Sequence, residues 1–176
     1  MLVVLVLAVP AALAPVAAAR GTCAGANLRP TTSDQHALAV ATLCLVNGIR
    51  AADELGPLHS NHELARVASG EAHQLVTLDY FADVSPTGVT PLAMITAARY
   101  PRPARPFSYG QNLAWGTEAG ATPASIVEAW MASPPHRAII LEPAFRDVGV
   151  AALASVPAAK AQGHPGATYA MEFGRR

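Results

Sequence analysis

The stretch WMASPPHRAIIL, residues 130–141, is the part of the sequence around which the other elements are arranged. An amphipathic run that begins at Ile126 enters this stretch, and two adjacent prolines follow it. Because proline lacks an N–H group and restricts the residue before it, the pair predicts that the helix stops there. His136 and Arg137 are then expected at a rigid corner, with an apolar run anchoring its far side. An imidazole and a guanidinium at a fixed corner make a candidate site.

The chain has 176 residues, a length that is enough for one domain. Its 12 basic and 12 acidic side chains balance. It contains no basic run, so the charge pattern gives no indication of nucleic-acid binding. Residues 2–19 are uncharged and almost entirely Leu, Val and Ala, and small residues at Ala17 and Ala19 fit cleavage by a signal peptidase. We therefore predict a signal peptide over 1–19, an N-terminal arm over 20–35 and one folded domain over 36–176.

Two cysteines, Cys23 and Cys44, follow the predicted export signal. An even number of cysteines in an oxidising compartment is typical of a disulfide bond, and here it would join the arm to the first helix. We expect this bond to be structural rather than a reactive thiol pair.

Helical periodicity and capping residues predict four helices. They run from the N-cap Ser33 to about Leu55, from the N-cap Asn61 through Leu78, from Thr90-Pro91 to about Arg99, and from Thr122-Pro123 to near Ala132. The buried face of the second helix is predicted to consist of Leu64, Val67, Ala68, Ala72, Leu75 and Leu78.

Strands are predicted over 108–115, 145–155 and 168–173, with a loop of Gly and Pro residues over 160–166. The helices come first and the strands last. This order favours an α+β fold over a parallel sheet built from alternating strands and helices.

The usual catalytic signatures are missing from the sequence. It has no G-x-S-x-G elbow, no phosphate-binding glycine loop and no dinucleotide fingerprint. The run 62–66, HELAR, is close to the zinc-binding helix of metalloproteases, but Arg66 occupies the place of the second His and a guanidinium cannot bind zinc.

Five motifs together resemble those of a bacterial CAP (SCP/PR-1-like) domain. They are YFAD at 80–83, YGQNLAWG at 109–116, WMASPPHR at 130–137, FRDVGV at 145–150 and YAMEFG at 169–174. The resemblance extends over 37–174 and implies an α-β-α sandwich with a small antiparallel sheet between helical layers. It also implies an extracellular setting and partners that range from proteins to lipids or sterols.

The resemblance implies a cleft that holds two His residues and one Glu, a set that could bind zinc. The matching positions in this sequence are Asp83, Gln111 and His136, of which His136 alone agrees with the family pattern. Because a neutral amide is a weak zinc ligand, we expect no cofactor and weak or no binding of divalent metal. No Ser or Cys nucleophile is evident beside His136 in the sequence.

Structural roles remain open for each residue of this predicted cleft. Gln111 and Asn112 could satisfy backbone groups near the corner, and Asp83 could cap the turn that follows it. Arg137 is expected to pair with a carboxylate or with carbonyl groups, and His136 could form a hydrogen bond that fixes the corner. The aromatic residues Tyr109, Trp115, Trp130, Phe145 and Phe173 are predicted to belong to the core.

The favoured function is a secreted, monomeric binding module whose partner is an extracellular protein or a lipid, with no membrane span after cleavage. One alternative is a hydrolase of peptides or cell wall in which His136 acts as base, oriented by Asp83. The other is a lipid or sterol carrier whose binding groove has its rim at 20–32 and 100–107. Three nearby arginines, Arg99, Arg102 and Arg105, would favour an anionic head group.

Overall fold

The computed structural model describes residues 23–101, 103 and 106–175. The predicted signal peptide, Arg102 and Arg105 therefore lie outside the described residues. No helix in the described part of the chain is long and apolar enough to cross a membrane.

Six α-helices, one short 3-10 helix (Glu118–Ala121) and four strands make up the described chain. The helices are α1 (Gln35–Ala52), α2 (His62–Thr77), α3 (Pro91–Ala97), α4 (Pro123–Ala132), α5 (Pro134–Ile140) and α6 (Ala158–Ala161). The strands are β1 (His59–Ser60), β2 (Ser108–Thr117), β3 (Asp147–Leu153) and β4 (Gly166–Arg175). The predicted α+β fold is confirmed, and the three long strands lie where the sequence predicted them.

The strands form one sheet in the order β1-β3-β4-β2. β4 pairs antiparallel with both β2 and β3, whereas the two-residue β1 pairs parallel with β3. The predicted antiparallel sheet is therefore mixed, because the short β1, which leads directly into α2, runs in the same direction as β3.

Helices cover both faces of this sheet. On one face α2 packs so closely that a Cβ on Gly149 of β3 would lie 2.1 Å from the backbone of Leu64. On the other face Leu45 of α1 and Trp130 of α4 join the core with Met171 of β4. The result is the predicted three-layer sandwich, with β2 at one edge of the middle layer.

Cap residues explain where most helices begin. The side chains of Asn61, Thr90 and Thr122 each accept a hydrogen bond from a backbone N–H in the first turn, as predicted. The first helix differs from its prediction: its N-cap is Asp34 rather than Ser33, and it ends at Ala52.

Two predictions of burial were wrong. Leu78 is 46% exposed because α2 ends at Thr77 and Leu78 is the C-cap. Tyr109 is 39% exposed because it lies near the start of the edge strand, where its ring contacts Phe107. Trp130, Phe145 and Phe173 are buried as predicted, and Trp115 is half-buried.

The loop predicted over 160–166 also contains more structure than expected. Its first residues belong to α6, and Gln162 then adopts a left-handed conformation that turns the chain into β4.

The predicted disulfide bond joins Cys23 to Cys44 of α1. Cys23 is buried against the main core, so the bond fixes the N-terminal arm to the first helix layer.

Candidate functional site

The two prolines begin a helix instead of forming a non-helical corner. α4 stops at Ala132 as predicted, Ser133 is extended, and Pro134 and Pro135 are the first two residues of α5. Proline is well tolerated there because the first N–H groups of a helix have no partner within it. His136 is therefore the third residue of a helix, and the apolar run after it belongs to the same helix.

His136 forms a hydrogen bond with the residue that precedes the prolines. Its Nδ1 lies 2.8 Å from Ser133 Oγ, and both residues are half-buried. A Ser hydroxyl therefore lies beside His136, where no Ser or Cys nucleophile was evident from the sequence. The three-residue spacing is the signal that could have found this pair, because residues i and i+3 are neighbours once α5 is recognised as a helix.

The backbone around this Ser–His pair is poor in donors. Pro134 and Pro135 have no N–H group, and the N–H of Arg137 already donates to the carbonyl of Ser133. An acyl-transfer site needs N–H groups directed at the developing oxyanion, and the two prolines remove two of the N–H groups that the first turn of a helix otherwise offers. Arg137 is half-buried, and its pairing with a carboxylate or carbonyl group stays a prediction.

Asn112 joins the edge strand to α5. Its Nδ2 donates to the carbonyl oxygen of His136 across 3.1 Å, which confirms its expected role in satisfying the backbone near the corner. Asn112 is fully buried, and its Oδ1 has no hydrogen-bond partner. Two residues earlier on the same face, a Cβ on Gly110 would lie 2.9 Å from the side chain of Ile139. The short helix α5 therefore lies against this face of β2.

Gln111 points to the opposite face of the sheet, because successive side chains of a strand alternate. It is paired in register with Glu172 of β4, and its Nε2 donates to Glu172 Oε1 across 2.8 Å. The alternative role of Gln111 near the α5 backbone is thus wrong. The side-chain amide is used by a buried carboxyl group that the sequence did not identify.

Glu172 is fully buried, and burial is the main reason that its pKa rises to about 8. The hydrogen bond from Gln111 opposes this rise, and the negative charges of Glu71 and Asp83 add to it. At neutral pH the folded protein therefore holds Glu172 mainly as a neutral carboxylic acid.

Glu71 of α2 lies in the same region and is 2% exposed. Burial raises its pKa, the hydrogen bond from the Tyr80 hydroxyl to its Oε1 at 3.4 Å opposes this, and Asp83 raises it further. Burial and the adjacent Glu71 raise the pKa of Tyr80 to about 12. The sequence did contain a signal for Glu71, because it lies within the apolar stripe of α2, four residues before Leu75.

Asp83 is exposed and close enough to both glutamates to influence them. Asp83 and Gln111 therefore belong to the neighbourhood of Glu71 and Glu172 on the α2 side of the sheet. The contacts of His136 are with Ser133 and Asn112, so a single site shared by Asp83, Gln111 and His136 stays a prediction. In the following turn, Ser85 Oγ accepts a hydrogen bond from the N–H of Val89.

The donor groups of the predicted trio do not fit a zinc ion. The amide of Gln111 is engaged with Glu172, and one ring nitrogen of His136 is engaged with Ser133. No group of three His, Cys, Asp or Glu within 23–101, 103 and 106–175 could hold a metal ion. Zinc prefers three or four imidazole, thiolate or carboxylate ligands, and a side-chain amide replaces one of them poorly.

Arg50 is a buried cation that holds the end of α5, and no pattern in the sequence predicted this role. Its guanidinium donates to the carbonyl oxygens of Gly56, Ile140, Glu142 and Phe145 at 2.7–3.3 Å. Burial lowers its pKa from the usual range, and the nearby Arg146 does so further. A planar guanidinium has enough fixed donors to serve several carbonyl groups at once.

With this fold and these motifs, the chain belongs to the CAP family. The model of the cysteine-rich secretory protein family matches residues 43–157, which is more than half of the chain. A curated relative, the uncharacterised protein YkwD of Bacillus subtilis (strain 168), is 33% identical over 109 residues. That match covers 60% of this chain and 38% of the relative, so the chain matches less than half of the relative's length.

Solved structures share the fold. An extracellular SCP-domain protein of Bacillus anthracis has a TM-score of 0.64 at 22% identity, covering 84% of this chain and 45% of that one. An outer surface protein of Borrelia burgdorferi has a TM-score of 0.58 at 22% identity, covering 74% of this chain and 86% of that one. At this level of identity the similarity concerns the fold alone.

Proposed function

We propose that this CAP domain is a secreted binding module whose cleft uses neither a bound metal ion nor a catalytic His. The observation that carries the proposal is the hydrogen bond from Gln111 to the buried Glu172. At the position where the family resemblance implies a charged Glu, this chain has Gln111. Its side-chain amide donates a hydrogen bond to Glu172, which is mainly uncharged at neutral pH. The cleft therefore lacks the charge that a metal ion would need at this position.

The setting outside the cell rests on three observations. The disulfide between Cys23 and Cys44 is typical of an oxidising compartment. Two structural relatives are described as an extracellular protein and an outer surface protein. Residues 2–19 have the composition of a signal peptide. Together they support export of the chain, and we expect the exported domain to be a monomer that binds an extracellular protein or lipid.

Calorimetric titration of the purified protein with zinc tests the metal-independent cleft. We expect no heat of binding in the micromolar range, and the same flat titration for His136→Ala. One-to-one binding at sub-micromolar concentration that disappears in His136→Ala would show that the proposal is wrong.

A hydrolase remains the alternative that one observation favours, namely the contact of Ser133 Oγ with His136 Nδ1. Activity on casein and on peptidoglycan should be measured for the wild-type protein, for Ser133→Ala and for His136→Ala. We expect no turnover, because the two prolines remove two of the N–H donors beside this pair. Activity that is lost in His136→Ala would favour the enzyme, and its dependence on Ser133 would distinguish a Ser nucleophile from attack by water.

A lipid carrier is supported by a crevice of about 400 Å³ between α2 and α3. It is lined by Arg66, Val67, Met94, Ala97 and Ala98, so an apolar wall carries one cation. Its size lies within the usual range of ligand pockets. Mass spectrometry of lipid extracted from the purified protein tests this role. A lipid that is retained by wild-type protein and lost in Ala97→Trp, which would fill the crevice, supports it.

A further inference from the structure

The interface between α2 and the sheet contains two buried carboxyl groups beside a cluster of apolar side chains. Glu71 is 2% exposed and Glu172 is fully buried. Their surroundings include Ala68, Ala72 and Ala170 of the small core cluster on this face. Charged side chains are rarely buried in this way unless a charge of opposite sign accompanies them.

The hydrogen-bond partners of this pair are neutral. Gln111 Nε2 donates to Glu172 Oε1, and the Tyr80 hydroxyl donates to Glu71 Oε1. Glu172 Oε2 is buried without a partner. No hydrogen bond or ion pair from Lys, Arg or His reaches either carboxyl group in the described part of the chain. Glu71 is close enough to Glu172 for its negative charge to raise the pKa of Glu172. Two buried carboxylates without a cation are unfavourable in a medium of low dielectric constant, and a proton bound to one of them lowers that penalty.

We propose that Glu71 and Glu172 form a proton-binding latch between α2 and β4, the strand that is paired with the edge strand β2. With the proton on Glu172, this carboxyl group is uncharged and packs within the interface, where it holds β4, and through Gln111 also β2, against α2. Loss of the proton at alkaline pH places a charge in this interface and weakens the packing of β2. The latch is independent of the partner that the cleft binds.

Every element packed against the pair contributes to its charge balance. Glu71 comes from α2, Tyr80 and the exposed Asp83 come from the segment that follows α2, and Glu172 comes from β4. β2 contributes the neutral Gln111. β3 contributes Gly149, which is paired with Glu172 and has no side chain. The groups other than the pair therefore add negative charge or none, and the proton is the positive charge that the latch uses.

The direction of the pH effect follows from the raised pKa of Glu172. The unfolded chain releases this proton near its ordinary pKa of 4.5, whereas the folded chain keeps it up to about pH 8. Between these values the folded state binds more protons, so this group's contribution to stability falls as the pH rises. Its stabilising contribution is complete below about pH 4.5 and is lost by about pH 8. Above that value the folded protein carries the buried charge.

The position of β2 makes a local response measurable. β2 lies at the edge of the sheet, where β4 is its one strand neighbour. The residue after Gln111 is Asn112, whose side chain holds the carbonyl of His136. Movement of β2 away from α2 would therefore also change the surroundings of α5.

Carbon-13 NMR of the glutamate carboxyl groups in the wild-type protein tests the latch directly. We expect one signal, identified by its absence in Glu172→Gln, to titrate with a midpoint near pH 8. Amide exchange of 108–113, corrected for intrinsic rates, should lose roughly tenfold in protection between about pH 7 and pH 9, the size expected for about one proton.

In Glu172→Gln, the amides of 108–113 should keep their protection from exchange over the same pH range. Glu54→Gln, a substitution at an exposed position, should lose protection as the wild type does. A Glu172 midpoint below about pH 6, or the same loss of protection in Glu172→Gln, would overturn the proposal. If Glu172→Gln fails to fold, the wild-type carboxyl titration, with signals assigned through Glu71→Gln and Glu54→Gln, decides alone.

Discussion

The side-chain amide of Asn112 donates a hydrogen bond to the backbone carbonyl oxygen of His136 across 3.1 Å. This contact joins β2 to α5 through two residues that are 24 positions apart along the chain. The preceding residue, Gln111, faces the other side of the sheet and contacts Glu172. Two adjacent side chains of one strand therefore connect it to both helical layers.

The first prediction concerns this contact. Asn112→Ala should lower the free energy of unfolding by about 1–3 kcal/mol, because it removes a fully buried side chain together with its hydrogen bond to a part-buried carbonyl. Urea denaturation followed by circular dichroism would measure the change. Asn27→Ala, at an exposed position, is the control and should differ from the wild type by less than about 0.5 kcal/mol. Equal destabilisation by both variants would contradict the role given to Asn112.

The second prediction concerns Arg50. Arg50→Lys keeps the positive charge but replaces a planar group with five donors by a single ammonium, which cannot serve the carbonyls of Gly56, Ile140 and Phe145 together. We expect a loss of about 3 kcal/mol in the free energy of unfolding, since at least two hydrogen bonds to a charged group disappear.

Chemical denaturation again measures this loss, with Arg175→Lys at the exposed end of β4 as the matched control. The control should lie within about 0.5 kcal/mol of the wild type. If Arg50→Lys were as stable as the control, the guanidinium would not be what holds the end of α5.

The sequence predicted the helices and the long strands well because their signals are local. Asn61, Thr90-Pro91 and Thr122-Pro123 each combine a capping side chain with an apolar period, so the start of each helix depends on a few neighbouring residues. The family motifs added the three-layer arrangement. The helix after the two prolines was missed because the same residues that end one helix can begin the next.

The candidate site was predicted less completely because it depends on contacts between distant residues. Gln111 meets Glu172 through a strand register that spans 61 residues, which no local pattern specifies. The burial of Glu71 was not predicted, because a Glu beside apolar residues on a helix usually reaches solvent. Arg50 was missed for a similar reason, since its partners are backbone carbonyls and leave no trace in side-chain patterns.

The third prediction concerns the disulfide bond, which closes a loop with a sequence separation of 21 residues. Restricting the unfolded chain over that length stabilises a protein by about 3 kcal/mol. A reducing agent should therefore lower the urea midpoint of the wild-type protein.

Because the sequence has two cysteines in all, the effect can be assigned to this bond. The double variant Cys23→Ser, Cys44→Ser provides the control and should unfold at the reduced midpoint with or without reductant. A wild-type midpoint that does not change on complete reduction would mean that the arm adds nothing to stability.

The fourth prediction tests how closely α2 packs on the sheet. A Cβ added at Gly149 would lie 2.1 Å from the carbonyl carbon of Leu64, so Gly149→Ala forces two backbones apart. We expect a loss of at least about 3 kcal/mol, because a backbone cannot move aside as a side chain can. Gly120→Ala is the matched control: a Cβ there would have nothing within 4 Å, and its stability should change by less than about 1 kcal/mol.

Thermal unfolding of the two alanine variants would compare them under identical conditions. Since Gly149 is paired in register with Glu172, displacement of α2 would also open the region around the buried carboxyl groups. Gly149→Ala should therefore bring the pKa of Glu172 closer to its ordinary value, as water reaches the carboxyl group. Gly149→Ala that is as stable as Gly120→Ala would show that α2 lies farther from β3 than the structure places it.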